Sequence, residues 1–245
     1  LEASSAASDV YKRQIKMTDL ITLKIDENVA EITMDDGKAN VLSHAMFDQL
    51  NEAFDVAEKE KTIVILRGRD GLFSGGFDLK ELSKGPREAL ELTSRGSRFA
   101  RRILSFSTPV IGLSTGHCIA MGAFLMLACD YRVGVQGQFK IGLNETLIGM
   151  TMHDFGIELA RYRIPLNYFS RSVINAELYT PNNAIEAGFY DAVIKVESME
   201  TNISEITQNF KNLNMSAFVG TKLKSRRSLL ETLDECIEND MKMAM

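Results

Sequence analysis

Glu145 has the surroundings that best suit a residue to do chemistry. It stands between Gly142-Leu143-Asn144 and Thr146-Leu147-Ile148-Gly149, a carboxylate set among apolar neighbours. Such surroundings disfavour the charged form and push the pKa towards neutrality, where a carboxyl works as a general base. A helix-capping or surface glutamate is the competing reading. Two glycine-bearing segments could serve the same site. Gly75-Gly76, between Phe73-Ser74 and Phe77-Asp78-Leu79, allows unusual backbone angles and close approach of a ligand, although a plain tight turn would read the same way. Ala120-Met121-Gly122-Ala123 opens a buried apolar helix, whose first turn presents unpaired N–H groups and a positive dipole end. Two backbone donors facing one acid/base form a site for making and quenching an enolate.

Other candidates are weaker. Gly112-Leu113-Ser114-Thr115-Gly116 matches the G-x-S-x-G of serine hydrolases. That mechanism needs an acid and then a histidine later in the chain, and only His153 follows His117. Packing Ser114, Asp130 and His153 into so short a stretch leaves no room for the strands and helices of that fold. His44, His117 and His153 share no metal-ligand spacing, so packing or surface roles are the simpler reading. His153 follows Glu145 closely enough to reach the edge of its pocket.

These residues need a scaffold. Leu20–Ile25 and Val29–Met34 alternate around Glu27-Asn28 as a hairpin, and Ser43 caps a helix with Met46, Phe47, Leu50, Phe54 and Ala57 on one face. Thr62–Leu66 reads as a strand buried on both faces, which makes this the start of a βαβ unit. Asp78 caps a following helix. Pro86–Phe106 is helical, with Arg95, Arg98, Arg101 and Arg102 on a solvated side, and Val110–Leu113 is the next strand. Phe155–Ile164 and Leu166–Ile174 read as helices. Pro181 opens a short helix that ends at Gly188, before strand Ala192–Val196. Glu200–Leu213 and Ala217–Met245 are expected as two further helices. The alternation gives one α/β core over residues 15–197 and a helical C-terminal region over 198–245. Leu1–Gln14 is small, polar and aperiodic, and is set aside as a non-native or disordered tail.

With 245 residues, 45% hydrophobic and 25% charged, the chain can bury one sizeable core. A formal net charge of −5 gives no footprint for nucleic acid. No apolar run is long enough to span a membrane. Cys118, Cys129 and Cys236 lack metal spacing and suit a reduced, cytoplasmic protein better than a disulfide framework.

Phe73–Leu79 (FSGGFDL), Gly116–Arg132 (GHCIAMGAFLMLACDYR) and Gly142–Thr146 (GLNET) resemble, in the same order, three motifs of the crotonase superfamily, the enoyl-CoA hydratases and isomerases. The resemblance covers roughly Leu20 to Val196. It implies a crotonase-like fold of repeated ββα units, with a helical C-terminal region that drives assembly into a homotrimer or hexamer. It also implies an acyl-CoA thioester substrate, coenzyme A entering only as part of that substrate and no separate cofactor. By motif position the oxyanion donors would be the Gly75 and Met121 N–H groups, with Glu145 as catalytic acid/base. Met121 stands at the family's usual glycine, where its side chain would narrow the pocket. Ser74, Gly76, Asp78, Leu79, Gly122 and Phe124 would line the substrate channel, with Lys38 and Val41 on the other wall. Phe124 occupies the place where hydratases of this family carry a first glutamate. One carboxylate and an apolar wall suit proton shuttling, so the resemblance points to Δ3-to-Δ2 enoyl-CoA isomerisation, as in the mitochondrial-type isomerases. The alternatives are enoyl-CoA hydration, hydrolysis of a CoA thioester or carbon–carbon bond using a water near His153 or Asp154, or a non-catalytic scaffold. Lys222, Lys224, Arg226 and Arg227 are expected on a solvated helix face, with contact to CoA phosphates as the other reading.

Overall fold

The structure is a computed structural model that describes residues 13–16 and 19–242. Strands β1 (Arg13–Lys16), β2 (Ile21–Asp26) and β3 (Val29–Met34) form an antiparallel meander. Glu27 and Asn28 close the β2–β3 hairpin, both at positive φ (43° and 67°), the geometry whose twist matches the flanking strands. Residues 1–12 of the tail set aside on sequence lie outside the described residues. Arg13 and Gln14 instead belong to β1, paired with Ile25 and Lys24.

Helix α1 (His44–Lys59) starts at Ser43, whose side chain accepts from the Met46 N–H, and leads to β4 (Ile63–Arg67) parallel to β3. The chain continues through β5 (Gly71–Ser74), the short helix α2 (Leu79–Leu82), the long α3 (Pro86–Ser105), β6 (Val110–Ser114) and β7 (Gly116–Ile119). Next come α4 (Met121–Ala128), β8 (Tyr131–Val135), β9 (Ile141–Gly142), α5 (Asp154–Arg163), α6 (Leu166–Val173), α7 (Pro181–Glu186) and β10 (Ala192–Ile194). Helices α8 (Met199–Lys211), α9 (Met215–Ser225) and α10 (Arg227–Lys242) follow. The single helix expected from Ala217 onward is therefore two, separated at Arg226.

The strands make two sheets. Seven lie in the order β1-β2-β3-β4-β6-β8-β10, parallel from β3 onward, and β5-β7-β9 form a smaller parallel sheet. The continuous apolar runs in β4 and β6 reflect burial on both faces, against α1 and α4 on one side and α8 on the other. Helix α10 adds Leu230, Leu233 and Ile237 to the main core.

Charges on the helices serve the same packing. Arg95 pairs with Asp48, Arg102 with Asp55 at 2.6 Å, and Arg101 with Asp234 at 2.8 Å, so three of the arginines expected on a solvated face tie α3 to α1 and α10. Lys222 and Arg226 also differ from expectation. Both are buried, 2.7 and 2.9 Å from the buried Asp130 carboxylate, because the CDYR segment places an acid under α9 that needs cationic partners. Among the described helices, none is long and apolar enough to cross a membrane.

Candidate active site

The three strands of the small sheet run parallel, so their C-terminal ends lie side by side, and ligands of open α/β sheets bind beyond such ends. The chain leaving β5 is Gly75-Gly76-Phe77, the chain leaving β7 is Ala120-Met121 at the start of α4, and the chain leaving β9 is Leu143-Asn144-Glu145. The sheet therefore gathers all three motifs. It also accounts for the G-x-S-x-G: Ser114 is buried and donates to the Gly116 carbonyl at 3.0 Å, and a Cβ on Gly116 would lie 1.8 Å from the Gly71 carbonyl carbon. That glycine exists for strand packing.

A cavity of about 300 Å³ opens at these strand ends, within the size range of small-ligand sites. Leu79, Leu82, Ala89 and Leu90 from α2 and α3 give it apolar lining, to which Ile148 and Met150 add. Gly75, Phe77, Ala120, Asn144, Glu145 and His153 also line it. Glu145 is the one carboxylic acid among its lining residues. Burial pushes its pKa up to about 7 against the smaller opposing effect of the Glu145 and Asn144 N–H groups. Its Oε2 has no hydrogen-bond partner among the described residues.

The oxyanion assignment changes. The Gly75 N–H donates to the Ala39 carbonyl at 2.9 Å and the Gly76 N–H to Ser74 Oγ at 3.1 Å, so neither is free. Phe77 bridges Leu42 in parallel: Leu42 N–H donates to Gly76 O, and Asp78 N–H donates to Leu42 O. In that pairing the flanking residues bond to Leu42, and the Phe77 N–H points the other way, on the residue that lines the cavity. On the second segment, Met121 opens α4, so its N–H lacks an intrahelical acceptor. The two segments touch. A Cβ built on Gly76, at φ 98°, would lie 2.8 Å from Ala120 Cβ and 3.5 Å from Met121 N. Ala120 is itself at φ 52°, which swings the chain from β7 into α4. The Gly75 N–H expected as a donor is therefore engaged, and the backbone donors left available on the two segments are those of Phe77 and Met121.

Other expected channel residues serve as braces. Met121 has no exposed surface, and its methyl lies 3.2 Å from where a Gly96 Cβ would be, so the missing side chain in α3 gives it room away from the cavity. Gly122 is required by Ser74, whose Cβ would be 2.8 Å from an added methyl. Ser74 donates to Asn40 O at 2.8 Å, and the Asp78 side chain caps α2 by accepting from the Lys80 N–H. Lys38 and Val41 lie on the loop that brings Ala39 to Gly75. Asp36 holds this loop, accepting from the Lys38, Asn40 and Val41 N–H groups at 2.7, 2.8 and 3.0 Å. Burial raises the Asp36 pKa, but these N–H bonds outweigh it and leave the carboxyl below its usual value. Phe124 is fully buried and meets His153 edge to face, with ring centroids 5.9 Å apart. His153 stands on the cavity wall and Phe124 behind it.

Comparison with known proteins gives the family and the fold. The family described as enoyl-CoA hydratase/isomerase matches residues 24–245. The chain belongs to that family. A solved enoyl-CoA hydratase/isomerase family protein from Pseudomonas syringae is 46% identical with a TM-score of 0.91, covering 93% of this chain and 99% of that one. A Mycobacterium tuberculosis structure described as an enoyl-CoA isomerase is 34% identical with a TM-score of 0.86, over 91% and 98% of the two chains. A probable enoyl-CoA hydratase of Bacillus subtilis is 32% identical over 53% of this chain, which spans about half, 52%, of that protein. Hydratase and isomerase names both occur among these relatives.

Proposed function

We propose that the protein is a Δ3-to-Δ2 enoyl-CoA isomerase. The observation that carries this reading is Glu145, the one carboxylic acid lining the cavity, with a pKa near neutrality and a free oxygen. The thioester carbonyl oxygen accepts from the Phe77 and Met121 N–H groups. Glu145 removes a proton from C2, between thioester and alkene. The negative charge spreads to the carbonyl oxygen, where each donor contributes about 3 kcal/mol of transition-state stabilisation. Glu145 then returns the proton to C4 and the double bond moves to C2–C3. Coenzyme A takes part only as the substrate's carrier group. The fully buried Phe124 supplies no second carboxylate for holding a water.

The test is to incubate the purified protein with 3-enoyl-CoA and 2-enoyl-CoA separately. Conversion of the first to 2-enoyl-CoA supports the reading. Fast hydration of the second with no isomerisation of the first overturns it.

A further inference from the structure

Among the described residues, five buried side-chain atoms have no hydrogen-bond partner: Arg67 Nε, Asn144 Oδ1, Glu145 Oε2, His153 Nε2 and Tyr190 Oη. Native interiors leave few such groups, and each one calls for a cause such as an unoccupied ligand site. Three of the five belong to residues that line the same cavity. Glu145 is explained by proton transfer. Asn144 and His153 are not.

His153 is fixed in place. It precedes α5, its ring stacks on Phe155 at an interplanar angle of 14° and meets Phe124 edge to face. The α5 N-terminus is held from α10, where Asp240 accepts from the Asp154 and Phe155 N–H groups at 2.8 and 3.1 Å. Burial lowers the His153 pKa, against the opposing charges of Asp240 and Asp154, so the imidazole is neutral and carries one donor and one acceptor nitrogen. An Asn Oδ1 only accepts. Where Nε2 carries the proton, a ligand atom that satisfies both residues donates one hydrogen bond and offers a lone pair, as a hydroxyl oxygen does; where Nε2 is bare, that atom donates two, as water does.

We propose that His153 and Asn144 form a subsite for a hydroxyl oxygen beside Glu145, so that His153 contacts the ligand and sets its chemical class. The oxygen comes either from a hydroxyl on the acyl chain or from water. The proposal rests on the acyl-CoA reading of the cavity but not on isomerisation. In the first case the protein selects hydroxylated acyl-CoA thioesters over plain ones. In the second the cavity holds a water able to add to 2-enoyl-CoA: its oxygen bonds to C3, its proton passes to Glu145, and the Glu145 proton goes to C2 as the π bond breaks.

Calorimetry with hexanoyl-CoA and with 3-, 4- and 5-hydroxyhexanoyl-CoA reads the subsite without turnover. The acyl-chain source predicts that at least one hydroxylated thioester binds about tenfold or more tighter than hexanoyl-CoA, the scale of one buried unmet hydrogen bond. His153→Phe should erase that preference and His153→Gln should keep part of it. Phe fits the aromatic stack, and thermal melts of both variants check folding. The water source predicts no such preference, but hydration of 2-hexenoyl-CoA in oxygen-18 water, with label at C3, reduced about tenfold or more in His153→Phe. If the wild-type protein shows neither preference nor hydration, or if His153→Phe changes neither, the subsite does not exist. Failure of 3-hexenoyl-CoA to isomerise would sink the proposed function and leave the binding result standing.

Discussion

Gly76→Ala should damage the reaction more than its single methyl suggests. The added Cβ would lie 2.8 Å from Ala120 Cβ, where carbon atoms normally sit at about 3.5–4.0 Å, so the two segments must part by about 1 Å. Ala120 yields poorly because its own φ of 52° is already unfavourable. Gly76 is also at φ 98°, where a side chain adds about 1–2 kcal/mol of strain. The parting separates the Phe77 donor from the Met121 donor, and a misplacement of about 1 Å costs on the order of 100-fold in rate. The expected result is a kcat for 3-enoyl-CoA isomerisation reduced about 100-fold, with stability lowered by about 1–3 kcal/mol in urea titrations. Gly71→Ala is the control. It is also at positive φ, but its Cβ meets nothing within 4 Å, so it should lose about 1 kcal/mol of stability and little rate. A Gly76→Ala enzyme with wild-type kcat would refute the placement of the donors.

Three further outcomes follow from the charges. With the Glu145 pKa near 7 and the ionised form acting as base, kcat/KM should rise as pH increases through about 7; a flat profile from acid to pH 8 would contradict this. The same raised pKa means that the folded protein binds the proton more tightly than the unfolded chain, so stability falls as pH rises from about 4.5 to about 7. Glu145→Gln should therefore gain up to about 3 kcal/mol over wild type at pH 8 and little at pH 4, as read by urea titration. Asp130→Ala strands Lys222 and Arg226 as buried cations and should cost about 3–5 kcal/mol, whereas a loss below about 1 kcal/mol would show that water replaces the carboxylate.

Much of the fold was legible because its signals are local. The β2–β3 alternation, the Ser43 cap and the apolar runs of β4 and β6 each declare an element within a few residues. The burial of Glu145 was legible in part for the same reason, since Ile148, three residues on, shares the cavity wall with it. Availability of a backbone donor is not a local property. Motif position drew the assignment to Gly75, but pairing with Ala39 and Leu42, far earlier in the chain, decides which N–H is left for a ligand. The side-chain direction of Met121 likewise depends on Gly96 in α3. Lys222 and Arg226 look like surface charges until Asp130 is folded beneath them. The place of His153 on the wall required α5 to be set against α4 by Phe124 and against α10 by Asp240.

Single-turnover isomerisation of 3-enoyl-CoA by wild-type protein and by Glu145→Gln, both at pH 8, tests the central claim most directly. The account predicts a rate lowered about 100- to 10,000-fold, the usual worth of a positioned acid/base, with acyl-CoA affinity retained. A Glu145→Gln enzyme that isomerises within tenfold of wild type would place the base elsewhere and contradict it.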